Sequence, residues 1–172
     1  MARGTVMIKN KFLAVILLIL EIFLAISITG CTFNNKVEHI GKNMELNLKN
    51  CKIEKDKDTH GGFLGDGDYF AKIICTDEVD SEITSNWKEL PLSEELQKVM
   101  NMIRYDNDDS YNVYGNYNIP KIENGYYNFF DRHTDSTDNK NDKELNTRSS
   151  YNFSLGIYDS GTKTLYYYAL DT

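Results

Sequence analysis

The chain has 172 residues, 19 of them basic and 26 acidic, for a formal net charge of −7, and 41% are hydrophobic. The acidic balance argues against a nucleic-acid protein, in which basic patches supply most of the affinity, and against direct docking on anionic lipid headgroups. The length suits one domain with one core.

Arg3, Lys9 and Lys11 precede an apolar run from Phe12 to Leu24 in which Glu21 is the one charge, and small residues then lead to Cys31. This is the three-part order of a secretory signal. The motif Ile28–Thr29–Gly30–Cys31 resembles the lipobox of bacterial lipoproteins. The resemblance implies a signal peptide over 1–30, a diacylglyceryl group on the Cys31 thiol and a further fatty acyl chain, palmitate or similar, on the new N-terminus. The mature protein would then sit on the extracytoplasmic face of the cell membrane. Two or more chains suit stable anchoring, because one gives only reversible binding. The alternative is an uncleaved membrane helix. The run from Phe12 to Thr29 is 18 residues, near the spanning minimum, and Glu21 at its middle would cost about 2.5–3.5 kcal/mol. Without Arg3, Lys9, Lys11 and Glu21 the mature chain holds 16 basic and 25 acidic groups, a net charge of −9.

Residues 31–43 are mostly polar and read as a lipidated N-terminus and tether, with His39 solvated in it. The domain is expected over 44–172. Met44, Leu46 and Leu48 alternate with polar residues, the period of a half-buried strand. The phase breaks at Asn50–Cys51, which calls for a bulge or a separate strand carrying Cys51 and Ile53. The stretch from Lys57 to Asp68 holds four glycines in seven positions, a shaped turn. Tyr69–Thr76 is rich in strand formers, so the turn and its flanks read as a hairpin. Residues 77–86 read as polar loop. Ser93 is a good N-cap for a helix over 93–104, with Glu94 and Glu95 in its first turn and an apolar stripe of Leu96, Val99, Met100 and Ile103.

Residues 105–125 show no clean period and read as an irregular, tyrosine-rich loop. Tyr126–Arg132 reads as a strand, and the polar stretch 133–150 as mobile. Tyr151, Phe153, Leu155 and Ile157 alternate with Asn152, Ser154 and Gly156. After turn residues at 159–162, Leu165–Leu170 returns as the second strand of a hairpin. The expected fold is α+β: an antiparallel sheet of five or six strands with one helix, at about 93–104, on one face.

The stretch Asp58–Gly67 (DTHGGFLGDG), the Trp87…Leu90–Pro91–Leu92 entry to a helix and the ending Tyr158–Asp159…Thr164–Leu165–Tyr166–Tyr167–Tyr168 resemble a group of small, uncharacterised proteins, many of them lipoproteins, from low-GC Gram-positive bacteria. The resemblance covers most of 51–172 and implies the same domain and localisation, without an activity. The group often carries a second histidine where this chain has Leu64, which weakens any reading of two histidines on a metal.

The glycine-rich turn is the one place where chemistry can be argued. Asp58, His60, Asp66 and Asp68 gather there, which suits cation binding by the carboxylates or a general base at His60 oriented by Asp66. The competing reading is a structured turn whose aspartates bond local backbone. A calcium loop begun at Asp56 fails because its twelfth position is Gly67 where a bidentate Glu is needed. Walker and dinucleotide patterns are absent, so no cofactor is expected, and no serine lies in a Gly-x-Ser-x-Gly elbow. Tyr111, Tyr114 and Tyr117 form a second candidate, an aromatic surface for a glycan or a peptide, against which stands packing under their loop. Cys51 and Cys75 are the two cysteines left once Cys31 is lipidated. Symmetry of the hairpin about Phe63 would set them opposite each other, along with Ile53 and Ile73, and Lys57 and Tyr69. A disulfide and two reduced core thiols are both open.

The functional expectation is a lipid-anchored extracytoplasmic binding or interaction module, with an envelope protein or a glycan as partner and no nucleic acid. The alternatives are a hydrolase or metal-dependent enzyme using the His60, Asp66 and Asp68 turn, and an immunity or inhibitor-type lipoprotein.

Overall fold

The computed structural model describes residues 36–61, 65–104 and 117–172. Glu38–Thr172 forms one compact unit. Six strands build its sheet: β1 (Lys52–Asp58), β2 (Gly67–Ile74), β3 (Lys88–Glu89), β4 (Gly125–Asp131), β5 (Asn152–Asp159) and β6 (Thr164–Asp171). Their order is β1-β2-β6-β5-β4-β3, antiparallel throughout. The helical segments are α1 (36–44), α2 (Asp77–Asn86) and α3 (Glu94–Arg104). The fold is therefore α+β on an antiparallel sheet. Among the described residues no helix is long and apolar enough to cross a membrane.

The helices lie on both faces of the sheet. On one face Leu96, Val99 and Met100 of α3 join Phe129, Phe153, Leu155 and Tyr168 in the main core. Ser93 caps α3 as its residue type suggests, its Oγ accepting the Leu96 N–H at 3.2 Å. On the opposite face Asn43 of α1 donates to the Tyr167 hydroxyl at 2.8 Å. Tyr158 donates to Asp80 of α2 at 2.7 Å. Gly156 lies under this second layer: a Cβ there would stand 2.7 Å from Met44 Sδ and from the Trp87 ring. The central strands β5 and β6 are consequently buried on both faces, although the sequence of β5 alternates. Buried Tyr158 and Tyr167 contribute apolar area while their hydroxyls stay hydrogen-bonded, which gives the abundant tyrosines a role in the core.

Several expectations change. Met44, Leu46 and Leu48 are buried in alternation, yet they do not form a strand. Met44 ends α1, Glu45 reverses the chain at φ 57°, and Leu46 and Leu48 run on without a ladder partner. The phase break before Cys51 thus separates this stretch from β1. The expected tether is shortened, because helical Ile40 is fully buried in the unit. Residues 77–86 are helix, not loop, with Val79 and Ile83 buried one turn apart and Asp77, Glu78 and Asp80 at the positive end of the helix dipole. The polar stretch 133–150 packs against the domain: Leu145 is buried in a 3-10 turn at Leu145–Thr147, and Asp131 N–H donates to Asn139 O at 2.7 Å. Residues 105–116 lie outside the described residues.

The β1–β2 register follows the expected symmetry at first, with Ile53 opposite Ile73. A shift at Glu54 then moves Lys57 opposite Phe70, and Asp58 takes the place facing Tyr69. The extra residue points outward, where Glu54 pairs with Lys72 at 2.5 Å. That bulge re-aims the end of β1, which is where the histidine cluster begins.

Candidate functional site

The ladder brings one end of four strands together: Asp58 closes β1, Gly67 opens β2, Asn152 opens β5 and Asp171 closes β6. Gly67 lets the turn fold back on itself, since a Cβ there would lie 2.5 Å from His60 Cα and 2.6 Å from His60 N. His60 is held tightly between carboxylates. Its Nδ1 is 2.7 Å from Asp58 Oδ1 and its Nε2 is 3.1 Å from Asp171 Oδ2. The His60 N–H also donates to Asp58 Oδ1 at 3.0 Å. Asp171 is clamped in turn by Arg132, whose Nη1 lies 3.0 Å from Oδ1 and Nη2 3.3 Å from Oδ2. Arg132 also donates to Phe153 O at 2.9 Å.

A neutral imidazole has one donor and one acceptor, whereas two carboxylates need two donors. The geometry therefore calls for an imidazolium at His60. Burial opposes that charge, but the hydrogen bonds and charges of Asp58 and Asp171 outweigh it and raise the His60 pKa above its ordinary 6.5. A general base needs a free ring lone pair, and both nitrogens are engaged. The partners also differ from the expected one, being Asp58 and Asp171 rather than Asp66.

Asp68 leaves the histidine altogether. It is buried on the face of β2 that carries Phe70. One of its oxygens accepts from the Thr59 hydroxyl, and the other from the Tyr117 hydroxyl at 2.7 Å. Tyr117 stacks on Phe70 with centroids 4.5 Å apart and rings 13° from parallel. Burial, followed by the Asp68 carboxylate, holds its phenol well above the ordinary range. Tyr117 is thus a core residue and no part of an exposed aromatic surface. Tyr111, Tyr114 and Cys31 lie outside the described residues. Asp66 is exposed, and its carbonyl accepts from Gly61 N–H at 3.3 Å. The four expected turn residues therefore divide: Asp58 and His60 join one cluster, Asp68 another, and Asp66 neither. Among the described residues no three His, Cys, Asp or Glu side chains gather as a metal-binding set.

Two further ionic groups border this end. Arg148 pairs with the buried Asp131 at 2.5 Å. His133 sits with its Nε2 3.1 Å from Ser150 Oγ and its Nδ1 accepting Asp135 N–H at 3.2 Å. A cavity of about 560 Å³ opens here, lined by Asp131, Arg132, His133, Ser136 and Asn139 among others. A more apolar groove of about 440 Å³ runs between Leu90–Pro91–Leu92, Met100 and Ile122 and shares no lining residue with it. Sequence reading missed Asp171, Arg132, Thr59 and Arg148. Thr59 could have been found by its place between Asp58 and His60. Asp171 is 111 residues from its histidine, and no local pattern marks it.

Cys51 and Cys75 are both buried, unbonded thiols in this structure. They lie at the far end of the β1–β2 ladder from His60. No family model, curated protein or solved structure matches the chain.

Proposed function

We propose that the protein is a lipid-anchored module of the extracytoplasmic envelope that works by binding a partner rather than by catalysis. The observation that carries this reading is the order of basic residues, apolar run and Ile28–Thr29–Gly30–Cys31. Two features of the domain support it. His60, the most chemically capable side chain of the glycine-rich turn, has both ring nitrogens committed to Asp58 and Asp171. Asp68 is committed to Thr59 and Tyr117. These groups hold the turn in shape instead of waiting for a substrate.

A domain anchored at Cys31 stays near the bilayer while its acidic charge keeps it off anionic headgroups. A surface of that kind suits an envelope protein or glycan, and an immunity or inhibitor role is a finer form of the same reading. Replacing Cys31 tests the anchor. Cys31→Ser should lose acylation, measured by mass, and should leave the membrane fraction. Retention of an unprocessed chain in the membrane would instead establish the transmembrane alternative.

A further inference from the structure

Lys52 faces Ile74 and Ile53 faces Ile73. The same register, continued one step, sets Cys51 opposite Cys75. The type of pair follows from where the backbone bonds go. Cys75 N–H donates to Lys163 O at 2.9 Å, on the side of β6, and Cys51 N–H donates to Leu48 O at 2.9 Å, within its own turn. Both groups turn away from the shared edge, so the two cysteines form a non-hydrogen-bonded pair. Such pairs have the closer side chains, with Cα atoms about 4.5 Å apart, inside the span of roughly 4.4–6.8 Å that a disulfide bridges.

We propose that Cys51 and Cys75 are a redox pair that closes into a cross-strand disulfide, tying the start of β1 to the end of β2. This inference does not depend on the lipid anchor. The oxidant is an external disulfide, either of a protein oxidoreductase or of a small thiol. Cys51 gives up its proton and its sulfur attacks one sulfur of that disulfide, releasing one thiolate. Cys75 then gives up its proton and displaces the second, leaving one new disulfide, two reduced external thiols and an unchanged electron count. Cys51 is the better first nucleophile, because its neighbour Cys75 lowers its pKa to about 7, while the nearness of Cys51 and burial push Cys75 upward. Both sulfurs are buried, so exchange waits on fraying of the ladder end, where local opening costs least. The closed bond would hold β1, which among the described residues has β2 as its one ladder neighbour, together with the segment that carries Asp58 and His60.

The test uses the full chain with Cys31→Ser, purified in detergent, so that Cys51 and Cys75 are the two thiols present. After incubation with oxidised glutathione the protein is acid-quenched, unfolded, alkylated and weighed. The expected product takes up no alkyl group, weighs two hydrogens less than the reduced chain and carries no glutathione. Dithiothreitol should restore two alkylated thiols. The oxidised form should melt about 10 °C above the reduced form. In the Cys75→Ser version Cys51 should retain one glutathione, because the resolving thiol is gone. Two alkylated thiols after oxidation, glutathione adducts that persist on the chain with both cysteines, or a disulfide-linked dimer would each overturn the proposal. The first arm alters neither Cys51 nor Cys75, so it stands even if a serine variant fails to fold.

Discussion

Tyr117→Phe isolates a single interaction in the core. The phenylalanine keeps the ring stacked on Phe70 at 4.5 Å and removes the hydroxyl that donates to Asp68 Oδ2 at 2.7 Å. Asp68 is 1% exposed, so water cannot readily replace the lost donor. A hydrogen bond to a charged acceptor is worth about 1.5–3 kcal/mol net. A domain of this size unfolds with an entropy near 0.3 kcal/mol per kelvin, which converts that loss into a fall in Tm of about 5–10 °C. Thermal melts followed by circular dichroism on the wild type, Tyr117→Phe, Asp68→Ala and the double variant form a cycle. The two single changes should couple by at least about 1 kcal/mol, because each removes the same bond. A Tm within 1 °C of wild type for Tyr117→Phe, or strict additivity in the cycle, would refute the placement of Tyr117 in the core against Asp68.

His60 should impose a pH dependence of known sign. Its folded pKa lies above the unfolded value near 6.5 because of Asp58 and Asp171. The stabilisation is therefore fully present below about pH 6.5 and is lost as pH rises through the folded value. Urea midpoints should fall over that interval in the wild type and lose this step in His60→Gln; equal slopes in the two proteins would contradict the bridge. Arg148→Met leaves Asp131 buried without its cation and should cost about 3–5 kcal/mol, read from urea unfolding, with a loss below about 1 kcal/mol counting against a buried pair. Gly156→Ala forces a Cβ to within 2.7 Å of Met44 Sδ and Trp87 and should cost about 1–3 kcal/mol. An unchanged urea midpoint there would mean that the second helical layer is not seated on β5.

The features carried by local chemistry could be read directly from the chain. Ser93 followed by two glutamates and an apolar stripe forms α3, and alternation through Phe153, Leu155 and Ile157 forms β5, because both signals act within a few residues. The early register of the first hairpin was equally legible, with Ile53 facing Ile73. Asp77–Asn86 shows the limit of such reading. Its two buried residues, Val79 and Ile83, make a stripe too narrow to stand out against eight other residues, all of them polar. The helix is settled by the sheet face that those two side chains cover.

Other features depended on distance in sequence rather than on pattern. Met44, Leu46 and Leu48 alternate as a strand would, but with no ladder edge beside them their burial is met by an irregular segment. Ser154 and Gly156 look solvent-facing in the sequence and lie under the second layer. The single extra residue at Glu54 shifts every later pair of β1 and so sets Asp58 opposite Tyr69. The remaining partner of His60, Asp171, arrives from the last strand of the sheet. Local sequence determines which segments can bury a face and where they turn. Tertiary packing alone decides which distant carboxylate joins the local one at a histidine, because a charge selects its neighbours in space, after the strands have set their register.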